Sequence, residues 1–147
     1  MANKKVSELT AAGAMTGDEL LPVVQSAASY KGTVKDIAKF GYQSILTDST
    51  TAKTLALTDR GQWMRFTNAT SMALTIPPNS SVAFAIGECL NGIQAAAGQI
   101  TFTAGAGVTI NKPSGYNAKS RAQGAPFGLI KIATDTWDLI GDLEVTP

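Results

Sequence analysis

Residues 98–111, GQITFTAGAGVTIN, and residues 128–143, GLIKIATDTWDLIGDL, alternate apolar with polar side chains and carry Gly, Thr and Asp at their bends. Side chains on a strand point to opposite faces in turn. Ile100 and Phe102 therefore share one face, the glycines of AGAG make a bend, and Val108 and Ile110 return. The second stretch reads as a hairpin of GLIKIA against TWDLIGDL across Thr134-Asp135. Neither stretch holds a cluster of reactive side chains, so both belong to a framework rather than a catalytic centre.

The same period recurs upstream. In WMRFTN, Met64 and Phe66 share a face, with Trp63 and Arg65 opposite. In MALTIPP, Met72, Leu74 and Ile76 line one face, and Pro77-Pro78 ends the strand because proline has no ladder donor. SVAFAIG sets Val82, Phe84 and Ile86 on one face. Asn91-Gly92 suits a tight two-residue hairpin. Lys112–Gly124 reads as an irregular polar loop. Residues 42–60 are rich in Thr and Ser and read as a connector ending in the strand TLAL, with a turn at Thr58–Gly61. The count is about eight strands at the spacing of an all-β sandwich or barrel.

Residues 1–41 differ in texture. DELLPVVQ reads as a strand that Pro22 confines to an edge, Gln25–Ala28 as a turn, and SYKGTV as the returning strand. Thr33, with Asp36 three residues on, has the chemistry of a helix start. Val34, Ile37 and Ala38 follow helical spacing, and Gly41 supplies a stop. The expected fold class is mainly β: a compact antiparallel β-sandwich or barrel-like domain over 50–147, a linker over 42–49, and a strand pair plus short helix within 1–41.

Composition narrows the function. Hydrophobic residues make up 44% of the 147-residue chain, enough for a core. Charged residues make up 16%, against roughly 25% in ordinary soluble domains. Such a surface is expected to be partly covered by copies of the chain or by a larger assembly. The net charge of +1 gives no footprint for nucleic acid. No apolar run is long enough for membrane insertion, and MANKKVSELT lacks the apolar core of a secretory signal. Cys89 is the single cysteine, so an intrachain disulfide is excluded.

Candidate chemistry is sparse. The chain has no histidine, which removes the usual general base and the commonest metal ligand. Gly98, Gly105 and Gly107 lie between strands and lack the Lys-Ser/Thr of a phosphate loop. Asp135, Asp138, Asp142 and Glu144 lack the spacing of a calcium loop. Neither a cofactor nor enzymatic activity is expected. Trp63, Tyr116 and Trp137 suit either core packing or a stacking surface. The loop with Tyr116, Lys119 and Arg121 is the one basic-aromatic cluster, a candidate ligand or subunit contact.

The stretch KVSELTAAGAMTGDELLPVVQSAASYKGTVKDIAKF resembles the N-terminal attachment motif of tailed-bacteriophage fibre and spike proteins. The resemblance is carried by Val6, Ser7, Leu9, Gly17, Glu19, Leu20, Pro22, Val23, Val24, Gln25, Tyr30, Lys31, Thr33, Val34, Asp36 and Ile37. The segments TIPPNSSVAFAIG, GQITFTAGAGVTINKPSG and LIKIATDTWDLIGDL are similar to a β-domain of phage virion proteins. The resemblance implies a virion structural protein, usually a homotrimer, located on the particle and docked through its N-terminal region on other virion proteins of the tail, collar or capsid. The end at Pro147, directly after the β-domain, leads us to expect a short fibre, a head fibre or an adaptor. Leu20, Leu21, Val23, Val24, Ile37 and Phe40, the large apolar groups of a segment with little core of its own, are the expected attachment residues. A lectin-like module binding host-surface glycan through Tyr116 is the alternative.

Overall fold

The computed structural model describes residues 20–25, 28–33 and 43–147, and the chain divides into two units, 1–42 and 43–147. In the first unit, β1 (Leu20–Gln25) pairs antiparallel with β2 (Ala28–Thr33), from Leu20 opposite Thr33 to Gln25 opposite Ala28. Pro22 stands opposite Lys31. Both strands of a two-stranded ribbon are edges, so a missing N–H is tolerated there. The expected strand pair is present, and the expected helix over 33–41 lies outside the described residues.

The second unit contains β3 (Ser44–Asp48), β4 (Ala52–Thr54), β5 (Gln62–Phe66), β6 (Met72–Ile76), β7 (Cys89–Gln94) and β8 (Ile100–Ala104). These are followed by β9 (Thr109–Asn111), β10 (Tyr116–Ser120), β11 (Pro126–Ala133), β12 (Thr136–Gly141) and β13 (Leu143–Val145). They form a six-stranded sheet, β3-β5-β7-β11-β12-β9, and a five-stranded sheet, β13-β10-β8-β6-β4. The protein is mainly β, with two sheets, as its alternation predicts.

The winding is less ordinary than the class. From β3 to β11 the chain changes sheet at every connection. Each circuit leaves one strand in each sheet, so successive circuits stack in parallel: β3 beside β5 beside β7, and β4 beside β6 beside β8. These three coils form a short solenoid. Antiparallel strands close it, with β11 on β7, β12 on β11, β10 on β8 and β13 on β10, while β9 adds in parallel to β12. The expected antiparallel order therefore holds for the closing half, including the hairpin across Thr134-Asp135.

Several local expectations change for one reason: alternation fixes which side chains share a face, but not which strand is the partner. Ile100–Phe102 and Val108–Ile110 are not a hairpin, because β8 and β9 belong to different sheets and AGAG carries the chain between them. At that corner Gly105 donates its N–H to Ile76 O, and a Cβ there would stand 2.8 Å from that oxygen. Asn91-Gly92 lies inside β7 rather than at a turn. Residues 81–86 form no strand, since Ser81 and Val82 both donate to Pro78 O. The region expected as a linker, 42–49, contains β3, and the expected polar loop contains β10.

The core lies between the sheets. Met64, Phe66, Leu90, Phe127, Leu129, Trp137 and Leu139 from one sheet meet Met72, Leu74, Ile76, Ile100, Phe102 and Leu143 from the other. Each fully buried large side chain of this kind contributes about 1.5–3 kcal/mol. Phe127 packs on Phe66 and edge-on against Phe102, with centroids 6.1 and 5.0 Å apart.

Among the described residues, every buried side-chain nitrogen and oxygen has a hydrogen-bond partner. Gln94 on β7 donates to Ala96 O and Ala97 O and accepts from the Ser120 hydroxyl, whose oxygen accepts the Ile100 N–H. This network ties one sheet to the other. At the outer coil, Lys53 on edge strand β4 stands beside Leu74 and so points inward. Its ammonium lies 3.0 Å from Asp59, which is 2% exposed and also accepts the Ala56 N–H.

Candidate functional site

Two surfaces bear on function. The first is the outer face of the six-stranded sheet. Because Met64, Leu90, Gly92, Phe127, Leu129, Trp137 and Leu139 point inward, the alternate residues Ile45, Trp63, Ile93, Ile130, Ile132 and Ile140 point outward. The register places Ile45 beside Trp63, Trp63 beside Asn91, Asn91 beside Gly128, and Gly128 beside Ile140. Ile45 is 68% exposed and Ile140 50%. This row across five strands carries large apolar groups at Ile45, Trp63 and Ile140, with Asn91 and Gly128 between Trp63 and Ile140. Ile140 leans over Gly128, where an added Cβ would lie 3.1 Å from the Ile140 side chain.

The second surface is the basic-aromatic cluster. Tyr116 opens β10 and is 37% exposed. Lys119 lies 3.8 Å from Glu144, and Arg121 grips Asp142 through two bonds of 2.6 and 2.7 Å. Hydrogen bonds from Gln99 and Asn117 hold the Glu144 carboxyl below its ordinary value. The Arg121 hydrogen bond does the same for Asp142, and Asp142 in turn raises Arg121. Both cations are thus turned toward the acids around β13, and the strip latches β13 to β10 instead of presenting free positive charge.

The three aromatics do not gather. Trp137 is buried in the core against Phe84, with centroids 5.4 Å apart and planes at 84°. Trp63 is half-buried on the six-stranded sheet, and Tyr116 lies on the other sheet. Among the described residues no group of three or more acidic or cysteine side chains is arranged to hold a metal ion. Asp135 sits in the β11–β12 turn, Asp138 accepts from Asn111, and Asp142 and Glu144 belong to the latch.

Of the expected attachment residues, Leu20, Leu21, Val23 and Val24 all lie on β1, and Ile37 and Phe40 lie outside the described residues. The sheet face built by Ile45, Trp63, Ile130, Ile132 and Ile140 was not singled out from the sequence. Its signal was present in the alternation of Trp63 and Arg65 opposite Met64 and Phe66, but an apolar residue at an outward position is visible only once the inward set is known. No protein-family model, curated protein or solved structure matches this chain.

Proposed function

We propose that this chain is a bacteriophage virion structural protein, a short fibre, head fibre or adaptor subunit that associates with its own copies through residues 43–147 and docks on the particle through residues 1–41. The observation that carries the self-association is the outward apolar row of Ile45, Trp63 and Ile140, whose burial needs a partner surface. A homotrimer is the assembly proposed, since closed symmetry covers such a face on every copy. The docking half rests on the sequence resemblance of residues 6–37 and on the paired strands β1 and β2. The role is passive, held by apolar burial and strand-edge hydrogen bonds. Glycan binding at Tyr116 is the weaker reading, because Lys119 and Arg121 are engaged by Glu144 and Asp142.

Deletion of residues 1–41 tests the docking. The truncated protein is expected to fold and self-associate but to be missing from purified particles; its retention in particles would refute the docking role.

A further inference from the structure

Lys131 is 2% exposed and has no carboxylate partner among the described residues. Its Nζ lies 2.5 Å from Asn79 Oδ1 and 2.8 Å from Phe84 O. The Trp137 ring, with Phe84 edge-on against it, walls the amine at 5.9 Å. Asn79 is itself fixed: its N–H donates to Asp135 Oδ1 at 2.5 Å, from a turn residue held at φ 54°. An ammonium kept from water without an opposite charge is costly, and Asn79 brings an electrophilic carbon into contact with it.

We propose that Lys131 and Asn79 become joined by a side-chain amide bond. The Lys131 ammonium passes one proton to Nδ2 of Asn79, and the Nζ lone pair so freed attacks Cγ. A new Nζ–Cγ bond forms, the Cγ–Nδ2 bond breaks, and a second hydrogen passes from Nζ to Nδ2, which leaves as ammonium. Nothing is oxidised or reduced and no cofactor enters. The fold supplies the proximity that such a slow acyl transfer requires, and Trp137 and Phe84 wall the amine. The product replaces a buried charge by a neutral amide. It also ties β11 to the connection between β6 and β7, closing a long loop as a disulfide would in a chain whose lone cysteine cannot form one within itself.

Intact mass spectrometry of the full chain, denatured after prolonged incubation in the folded state, reads the result. The expected mass is about 17 Da below that of the sequence, the loss of one ammonia. Tryptic digestion is expected to yield the peptides carrying Asn79 and Lys131 as one joined species. Asn79→Ala and Lys131→Met are each expected to restore the full mass. A full mass in the folded wild-type chain overturns the proposal. So does the same loss with the two peptides separate, which identifies a cyclised asparagine elsewhere.

Discussion

A Cβ at Gly92 would stand 2.6 Å from Met64 O and 2.7 Å from the Phe127 ring, and neither a backbone carbonyl nor a buried ring has room to retreat. Gly92→Ala is therefore expected to destabilise the fold by about 1–3 kcal/mol, read as a lowered midpoint in urea without a change of slope. Lys53→Met acts by another route. It leaves the Asp59 carboxylate buried without its cation and is expected to cost about 3–5 kcal/mol, again by urea denaturation. Asp59 would retain only the Ala56 N–H. These two positions mark the limit of reading residues in isolation. Asn91-Gly92 has the chemistry of a turn, and Lys53 has that of a solvent-facing charge. Gly92 is overridden by Phe127, distant in sequence, and Lys53 by Asp59, which the turn after β4 brings beneath it. The alternations of Met64 with Phe66 and of Met72 with Leu74 and Ile76 were legible because burial follows directly from period two.

The latch between β10 and β13 couples an element to pH. Asp142 and Glu144 both titrate below their ordinary values in the folded chain. A depressed carboxyl stabilises the fold above its unfolded value, and that contribution disappears as pH falls through the folded value. Arg121, raised, stays charged throughout that range. On acidification from neutral into the range just below the ordinary carboxyl values, β13 is expected to loosen before the core. Amide exchange at Thr146, whose N–H bonds to Gly115 O, should accelerate before exchange at Met64 or Leu90. Equal acceleration at all three would show that the latch plays no part. At this scale the hairpin of β11 and β12 was plain from sequence, because both strands alternate cleanly and the turn between them is short. The parallel stacking of β3, β5 and β7 was not, since coils of unequal length leave no repeat to recognise.

For the whole molecule, the outward Ile45 and Ile140 offer the test of whether the chain stands alone. Ile45→Glu and Ile140→Glu alter exposed positions and should leave the urea midpoint nearly unchanged, within about 0.5 kcal/mol. Light scattering is expected to show a trimer for the wild-type chain and a monomer for the double variant. A wild-type monomer at micromolar concentration would remove the self-association reading. The candidate interaction face was hidden in the sequence because composition records how few charges there are, not where the apolar side chains emerge.

The change of sheet at every connection from β3 to β11 also has a consequence during synthesis. Strand β7 sits between β5, made before it, and β11, made well after β8, β9 and β10. A nascent chain that has emerged only as far as Ser120 can stack its three coils, yet β7 still has one bare edge and Gly92 lacks the Phe127 ring that covers it. Until Pro126–Ala133 leaves the ribosome, that bare edge can receive any extended strand, including β11 of a sister chain on the same message. The order of emergence thus sets an interval in which copies of this protein can exchange strands, and the interval closes only when Pro126–Ala133 has left the exit tunnel.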